Sequence, residues 1–339
     1  MTTPAPFPSP HLSPRPAGAR HVVVGAGTVG TAVARLLAGR GDRVTVVTRS
    51  GTGPEHPAVE RVALDAGDAA ALADVVAGSG HPDDRAVAVH NCVNPAYHRW
   101  STDWPPVAAS LLGAAEAVGA VLATVSNLYP YGPVDVPMTP DLPVGATDSK
   151  GLVRARMWAG AKAAHDAGRV RVVEVRASDY LDAHDQSAVH RLLPDLLRGR
   201  TLRVIGDPDQ PHSWTTTGDT ARTLVAVADD PGTHGRVWHV PSNPPRTQRE
   251  VLADLAAAAG VPLPRVVGTG PTALRVAGWF SPVLRELRGT LYQFTAPFVL
   301  DDRATRDALG LTPEPSDAAV ARMVAAARVP ATSTDEVAA

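Results

Sequence analysis

Three glycines near the start of the chain have a spacing that suits phosphate binding: Gly25, Gly27 and Gly30. Residues 21–24 form an apolar run before them, and residues 31–38 have helical spacing after them. In such a strand–turn–helix, the first glycine permits the tight turn, the second admits a pyrophosphate, and the third allows close packing of helix on strand. Backbone N–H groups at the helix start then bind the phosphates. We predict a dinucleotide site that includes Gly25, Gly27, Thr28, Val29 and Gly30.

The end of the second predicted strand indicates which dinucleotide binds. Residues 48–50 read Thr-Arg-Ser, without the Asp or Glu that holds the ribose 2′-hydroxyl of NAD. Arg49 and Ser50 are placed to contact a 2′-phosphate, which favours NADP, with NAD as the second choice. The alternative interpretation of Arg49 is a solvated loop charge. After the third strand, Asp65 is placed to accept a hydrogen bond from the adenine amino group or to cap the next helix.

The elements that position these residues alternate between apolar strands and helical stretches. This alternation predicts right-handed βαβ connections and a parallel sheet. We expect an α/β fold, a Rossmann-type doubly wound parallel sheet with a smaller mixed C-terminal substrate lobe. Later helices are predicted to start at Asp219, as an N-cap, and at Thr247, where Glu250 completes a capping box. The expected strands of the sheet cover residues 21–24, 43–47, 59–64, 86–90, 121–125 and 170–175.

The regular alternation breaks at about residue 180, which sets the predicted domain boundary. Residues 20–180 are predicted to form the dinucleotide-binding Rossmann domain, and residues 181–329 a substrate-binding lobe interleaved with the sheet. Residues 1–19 hold six prolines and residues 330–339 are polar, so both are expected to be disordered tails.

Composition excludes several classes of protein. A net charge of −2 over 339 residues leaves no electrostatic footprint for nucleic acid or an anionic membrane. The single cysteine, Cys92, and 12 histidines without metal-ligand spacing predict neither a disulfide nor a metal site. Residues 107–125 are apolar, but Glu116 and many small residues favour a buried helix and strand over a membrane span. We expect a cytoplasmic protein with a small-molecule substrate, and a homodimer is an open alternative.

Several further segments occur in an order found in one known family. They are the glycine turn, Asp65, residues 126–132 (Ser-Asn-Leu-Tyr-Pro-Tyr-Gly), the pair Ser149-Lys150, residues 176–179 and residues 212–219. This order resembles the extended short-chain dehydrogenase/reductase superfamily, in its NAD-dependent epimerase/dehydratase-like branch. The resemblance covers roughly residues 20–325. It is specific for the superfamily and does not identify a substrate.

The chain departs from this family at two catalytic positions. The resemblance implies a catalytic Tyr four residues before Lys150, where this chain has Ala146, and a Ser or Thr where it has Asn127. The protein is therefore similar to an atypical member. The resemblance assigns Lys150 to the nicotinamide ribose and to catalysis, and Asn127 to orienting the substrate. Lys162 is the only other lysine in the chain, so a Lys at position 150 suggests that Arg would not serve there.

Another tyrosine is the candidate for the missing acid. Tyr129 lies two residues after Asn127, where related sugar dehydratases carry an acidic general acid/base residue. We therefore expect Tyr129 to act as the proton donor. The alternative is an aromatic side chain packed within a proline-rich loop.

The loop after the fourth strand is expected to line the substrate pocket. In an open α/β sheet the ligand crevice lies beyond the carboxyl ends of the strands. Asn94 is predicted to contact the cofactor ribose, although a loop folded on its own aromatics is the alternative. The predicted substrate-binding residues are Tyr97, His98 and Trp100 from this loop, Tyr180 after the sixth strand, and His212 and Trp214 from the second lobe.

These residues leave three hypotheses about function. The first is an NAD(P)-dependent reductase of a small organic carbonyl or enone, with a site that lacks the usual Tyr. The second is a non-catalytic NADP-binding regulatory protein. The third is a non-redox epimerase or dehydratase.

Overall fold

A parallel sheet organises residues 18–182, 187–270 and 287–328, which the computed structural model describes. Its seven strands lie in the order β3-β2-β1-β4-β5-β6-β10. The strands of the described residues are β1 (Arg20–Val24), β2 (Arg43–Thr48), β3 (Val59–Ala63), β4 (Ala88–Asn91), β5 (Val121–Asn127), β6 (Arg171–Ala177), β7 (Asp179–Tyr180), β8 (Leu202–Ile205), β9 (Trp214–Thr215), β10 (Val237–His239) and β11 (Val266–Thr269).

Helices cover both faces of this sheet, because its strands are apolar on both sides. On one face α1 packs against α6, with Leu37 and Leu224 fully buried. On the other face lie α2, α3 and α4, around Leu72 and Trp104. The helices of the described residues are α1 (Thr28–Gly39), α2 (Ala69–Ala77), α3 (Trp100–Val118), α4 (Ser149–Asp166), α5 (Leu193–Leu197), α6 (Thr217–Asp229), α7 (Gln248–Ala259), α8 (Arg303–Leu309) and α9 (Ser316–Arg328).

The fold class predicted from the sequence is confirmed. The predicted parallel strands are present, and β10, from beyond residue 180, adds a seventh strand next to β6. A separate core outside the sheet packs α5, α7 and α9 around Leu196, Leu252 and Met323. The exact boundary between the two lobes stays a prediction. The predicted tails fall almost entirely on residues 1–17 and 329–339, which lie outside the described residues.

The two predicted helix starts had different outcomes. The capping box is confirmed, since Thr247 Oγ1 accepts from the Glu250 N–H at 3.1 Å and Glu250 Oε2 accepts from the Thr247 N–H at 2.8 Å. The prediction that Asp219 is an N-cap is wrong. Thr216 has the extended backbone of a cap, and its Oγ1 accepts from the Asp219 N–H at 3.0 Å. Asp219 therefore lies in the first helical turn.

Within the described residues, no helix combines the length and the hydropathy that crossing a membrane requires. The predicted apolar run at residues 107–125 lies partly in α3 and partly in β5, both within the core.

A neutral histidine connects the sheet edge to the segment before α8. His239 is fully buried, and its Nδ1 lies 2.9 Å from the Asp301 carbonyl oxygen. A carbonyl oxygen only accepts, so Nδ1 carries the proton and Nε2 accepts from the Tyr131 hydroxyl at 2.7 Å. Both bonds suit the neutral ring, and burial lowers the pKa of His239 to about 4.

Because His239 is neutral in the folded protein, we predict that acid lowers the free energy of unfolding. The unfolded chain takes up a proton near pH 6.5 and the folded chain only near pH 4, so stability falls as pH drops through that window. The expected loss from this group is about 3 kcal/mol. Chemical denaturation of the wild type between pH 7 and pH 4 measures it. His239→Asn should show a smaller decline over the same range, and an unchanged decline would contradict the assignment.

Candidate functional site

A large cavity opens at the carboxyl ends of the strands, as parallel α/β sheets lead one to expect. Its volume is about 1360 Å³. It runs from the glycine turn after β1 to residues of the second lobe. Among the residues predicted from the sequence, its wall includes Gly25, Gly27, Thr28, Val29, Arg49, Ser50, Asp65, Asn94, Tyr97, Trp100, Asn127, Tyr129 and Tyr180.

The glycine turn has the geometry that a pyrophosphate needs. Gly25 has φ of +94°, and a Cβ there would lie 2.6 Å from the Cys92 carbonyl oxygen. A Cβ on Gly30 would overlap the Gly25 carbonyl oxygen, so the start of α1 presses directly on the turn. Gly27 is the N-cap of α1, has open space where a Cβ would be, and leaves the helix without a side-chain cap or an acidic first turn. The free N–H groups therefore suit an anion.

The part of the cavity predicted to hold the adenosine has one basic and one acidic residue in its wall. Exposed Arg49 follows β2 and lines the wall together with Asp65. The capping role considered for Asp65 belongs to Asp68, whose Oδ1 accepts from the Ala71 N–H at 3.1 Å. Asp65 Oδ1 accepts from the Gly67 N–H at 2.9 Å, which holds the carboxylate at the cavity edge.

Two tyrosines of the cavity wall form a hydrogen-bonded pair beside a buried lysine. Lys150 is only 2% exposed, and its Nζ lies 4.8 Å from the centre of the Tyr97 ring. The Tyr97 hydroxyl is 3.1 Å from Thr290 Oγ1 and also shares a hydrogen bond with the Tyr129 side chain. The cavity wall includes both tyrosines but not Lys150. Ala146 is buried nearby, at the turn that leads into α4.

Both phenols are protonated at neutral pH, and burial raises their pKa values above the ordinary value of a tyrosine. For Tyr97, burial raises the pKa to about 12, although the hydrogen bonds from Thr290 and Tyr129 pull that pKa down again in part. Burial raises the pKa of Tyr129 further above its ordinary value, and the neighbouring Tyr97 adds to the rise. The two phenols therefore titrate as a coupled pair, in which burial disfavours the phenolate form of both.

Asn127 stands beside this pair at the end of β5. Its Oδ1 accepts from the Tyr129 backbone N–H at 3.2 Å. Because the amide oxygen is used in this way, the amide NH₂ remains as a donor for a group in the cavity.

The remaining predicted substrate residues lie outside the cavity wall. His98 is exposed on the loop before α3, and Trp214 is buried in the second lobe, where its Nε1 donates to the Arg246 carbonyl at 2.9 Å. His212 is buried one side chain away from the cavity, with its Nε2 2.9 Å from Asp179 Oδ2. Their roles in substrate binding stay predictions.

Several polar residues of the wall were missed by sequence reasoning. They are Arg154, Asp179, Arg191 and Gln293. Asp179 sits in the segment 176–179 that the family resemblance marks, so its position could have been noticed. Arg154 follows Lys150 by one helical turn, and an i, i+4 argument from Lys150 would have placed both on one face of α4. In the part of the chain that is described, no group of His, Cys, Asp and Glu has a metal-binding arrangement.

The fold and the glycine turn define a dinucleotide-binding protein, and comparison with known proteins identifies its family. The model of the NAD dependent epimerase/dehydratase family matches residues 21–240. The chain therefore belongs to this family. A search of curated proteins finds no significant match.

Solved structures of epimerases and dehydratases share the fold. UDP-glucose 4-epimerase of Thermotoga maritima, solved with UDP-glucose, is 16% identical, with a TM-score of 0.74 over 91% of this chain and 98% of that one. A dTDP-glucose 4,6-dehydratase of Streptomyces venezuelae, solved as a double mutant with NAD, is 22% identical, with a TM-score of 0.73 over 92% and 97%. The epimerase Mth375 of Methanothermobacter thermautotrophicus is 17% identical, with a TM-score of 0.75 over 91% and 93%.

Two glycine substitutions should separate folding from dinucleotide binding. Gly30→Ala should lower the free energy of unfolding by about 1–3 kcal/mol, because its methyl group meets the Gly25 carbonyl oxygen. Gly27→Ala should unfold like the wild type yet bind dinucleotide more weakly, since its methyl group enters the open space of the turn. Thermal denaturation and calorimetric titration with NADP and NAD measure the two effects. Normal dinucleotide affinity in Gly27→Ala would place the pyrophosphate elsewhere.

Proposed function

We propose that the protein is an NADP-dependent oxidoreductase that reduces a small organic carbonyl or enone. The observation that carries this proposal is the pair of protonated phenols, Tyr97 and Tyr129, in the cavity wall with the Lys150 ammonium against the Tyr97 ring. The pair supplies the acid function that Ala146 lacks. The sequence alone suggested Tyr129 as the donor, and the geometry favours the two tyrosines acting together.

Each residue has a defined task in this proposal. Bound NADPH supplies the hydride. Asn127 uses its amide NH₂ to orient the substrate oxygen, and Tyr97 transfers its hydroxyl proton to that oxygen. Tyr129 donates a hydrogen bond to the Tyr97 oxygen as the proton leaves, and the Lys150 ammonium stabilises the resulting charge. The alcohol product carries the hydride on carbon and the proton on oxygen.

The preference for NADP rests on the end of β2. Arg49 lines the cavity there, and the segment of residues 48–50 has no carboxylate. A guanidinium suits a 2′-phosphate, whereas a carboxylate would repel it. The solved structures named above include one with NAD, so NAD is the competing cofactor.

Epimerisation or dehydration is the second candidate function. It is favoured by the similar solved structures, which include a UDP-glucose 4-epimerase and a dTDP-glucose 4,6-dehydratase. Absorbance at the NADPH wavelength discriminates the candidates when purified protein is mixed with NADPH and a panel of ketones, aldehydes and enones. Net oxidation supports the reductase. Conversion of a nucleotide sugar without net oxidation supports the second candidate, and tight NADPH binding without any turnover supports a regulatory protein.

We predict that removing either hydroxyl of the Tyr97–Tyr129 pair lowers activity to a similar extent. Tyr97→Phe and Tyr129→Phe should each lower kcat at least about 100-fold, since each removes a hydroxyl of the proton-donating pair, with KM for NADPH little changed. Tyr292→Phe is the control, because its buried hydroxyl has no hydrogen-bond partner among the described residues and lies outside the cavity wall. Steady-state kinetics measure the effect. Full activity in Tyr97→Phe and Tyr129→Phe would refute the proposed acid.

The cofactor preference predicts a selective change in KM. Arg49→Ala should raise KM for NADPH about tenfold and change KM for NADH much less, because only NADPH carries the 2′-phosphate. Arg35→Ala removes an exposed arginine of α1 and serves as the control. Kinetics with both cofactors provide the measurement, and equal shifts for NADPH and NADH would argue against the contact.

A further inference from the structure

A buried guanidinium forms part of the cavity wall without a direct ion pair to any carboxylate among the described residues. Arg154 lies in α4, one turn after Lys150, and is only 5% exposed. Its Nη1 donates to the Val125 carbonyl at 3.3 Å, at the end of β5 beyond the pairing with β4. Arg154 Nε is buried with no hydrogen-bond partner, and no ion pair joins this side chain to an acidic residue among the described residues. Burial lowers the pKa of Arg154 to about 10, so the group remains charged at neutral pH.

Two aromatic rings compensate only part of this charge. The guanidinium carbon of Arg154 lies 4.7 Å from the Trp100 ring centre and 4.3 Å from that of Trp104. These contacts, together with the Coulombic attraction of the Glu174 carboxylate that pairs with Arg176, offset only part of the cost of burying the charge. A neutral residue of similar shape would fill the same space at lower cost, so the charge calls for a further partner.

Other buried arginines of this protein show what full compensation looks like. Arg176, 2% exposed, pairs with Glu174 at 2.7 Å. Arg20, 8% exposed, makes four side-chain hydrogen bonds, to the carbonyls of Val75, Val76 and Asp84 and to Thr45 Oγ1. Arg154 makes one such bond, and of these three only Arg154 lines the cavity.

We propose that Arg154 binds an anionic group of the substrate, and that the substrate is a small oxo acid whose carboxylate pairs with this guanidinium. This inference rests on the proposed reductase function and names the substrate class for the same site. In the proposed function the glycine turn and Arg49 provide for the dinucleotide phosphates, so we assign Arg154 to the substrate.

The aromatic cluster brings the proposed carboxylate site close to the phenol pair. The Trp100 ring that Arg154 contacts lies 5.2 Å from the Tyr97 ring and 6.0 Å from the Tyr129 ring, between ring centres. A carboxylate held at Arg154 therefore leaves an adjacent keto group within reach of the same tyrosines. A 2-oxo acid has this arrangement of the two groups.

Paired acids and esters test the inference in the complete protein with NADPH. Pyruvate and phenylpyruvate are compared with their methyl esters, which keep the keto group and lose the charge. We expect the wild type to prefer the acids. Arg154→Gln should lower kcat/KM for the acids about tenfold or more and leave the esters nearly unchanged. Arg156→Gln, which removes an exposed arginine of the same helix, should leave both unaffected.

A lysine variant keeps the test valid if Arg154→Gln does not fold. Arg154→Lys retains a charge, so it should keep part of the preference for acids. Equal losses on acids and esters in a folded variant would show that Arg154 only supports the structure and would overturn the inference. Turnover of esters alone by the wild type would overturn it as well, while leaving the proposed reductase function intact.

A binding measurement separates this inference from the proposed function. Phenylacetate should raise the Tm of the NADP-saturated wild type more than phenylacetamide does, and Arg154→Gln should abolish that difference. A carboxylate-specific rise in Tm without turnover of any carbonyl would support the anion site and count against the reductase. No difference between the two ligands would overturn the anion site.

Discussion

Parallel pairing of β1 with both β2 and β4 is the constraint on which the site depends. Val24, at the end of β1, is in register with Val47 on one side and with Asn91 on the other. All three strands therefore end at the same edge, and their following loops must share one crevice. The glycine turn adds to this constraint, because the backbone at the start of α1 packs directly against the Gly25 carbonyl oxygen. A side chain on Gly30 would overlap that oxygen.

Much of this arrangement could be predicted from local patterns. The Gly25-x-Gly27-x-x-Gly30 motif and the apolar strands identify the sheet and the dinucleotide end of the cavity, since both depend on residues close together in sequence. The capping box at Thr247 is readable for the same reason. The error at Asp219 has the reverse cause: Thr216 and Asp219 are both good caps, and only the backbone conformation chooses between them.

The predicted substrate end of the site could not be predicted in detail from local sequence patterns. Tyr97 reaches Lys150 and Thr290 across long sequence separations, so no local motif connects the three. The role proposed for Arg154 depends on the absence of a hydrogen-bond partner for its Nε among the described residues, which a local sequence pattern does not reveal. His98 and Trp100 looked equivalent in one polar, aromatic loop, yet the short helical turn at Tyr97–Arg99 exposes the first and buries the second.

The hydrogen bond between Tyr97 and Thr290 has a mechanical consequence. Thr290 is buried in the segment that follows residues 271–286 along the chain, far from the Rossmann strands in sequence. Its hydroxyl helps to hold the Tyr97 phenol in place and to lower its pKa. A shift of that segment would change both the position of the Tyr97 hydroxyl and its pKa. The segment after residue 286 therefore influences the position and the pKa of the Tyr97 phenol, in addition to contributing to the cavity wall.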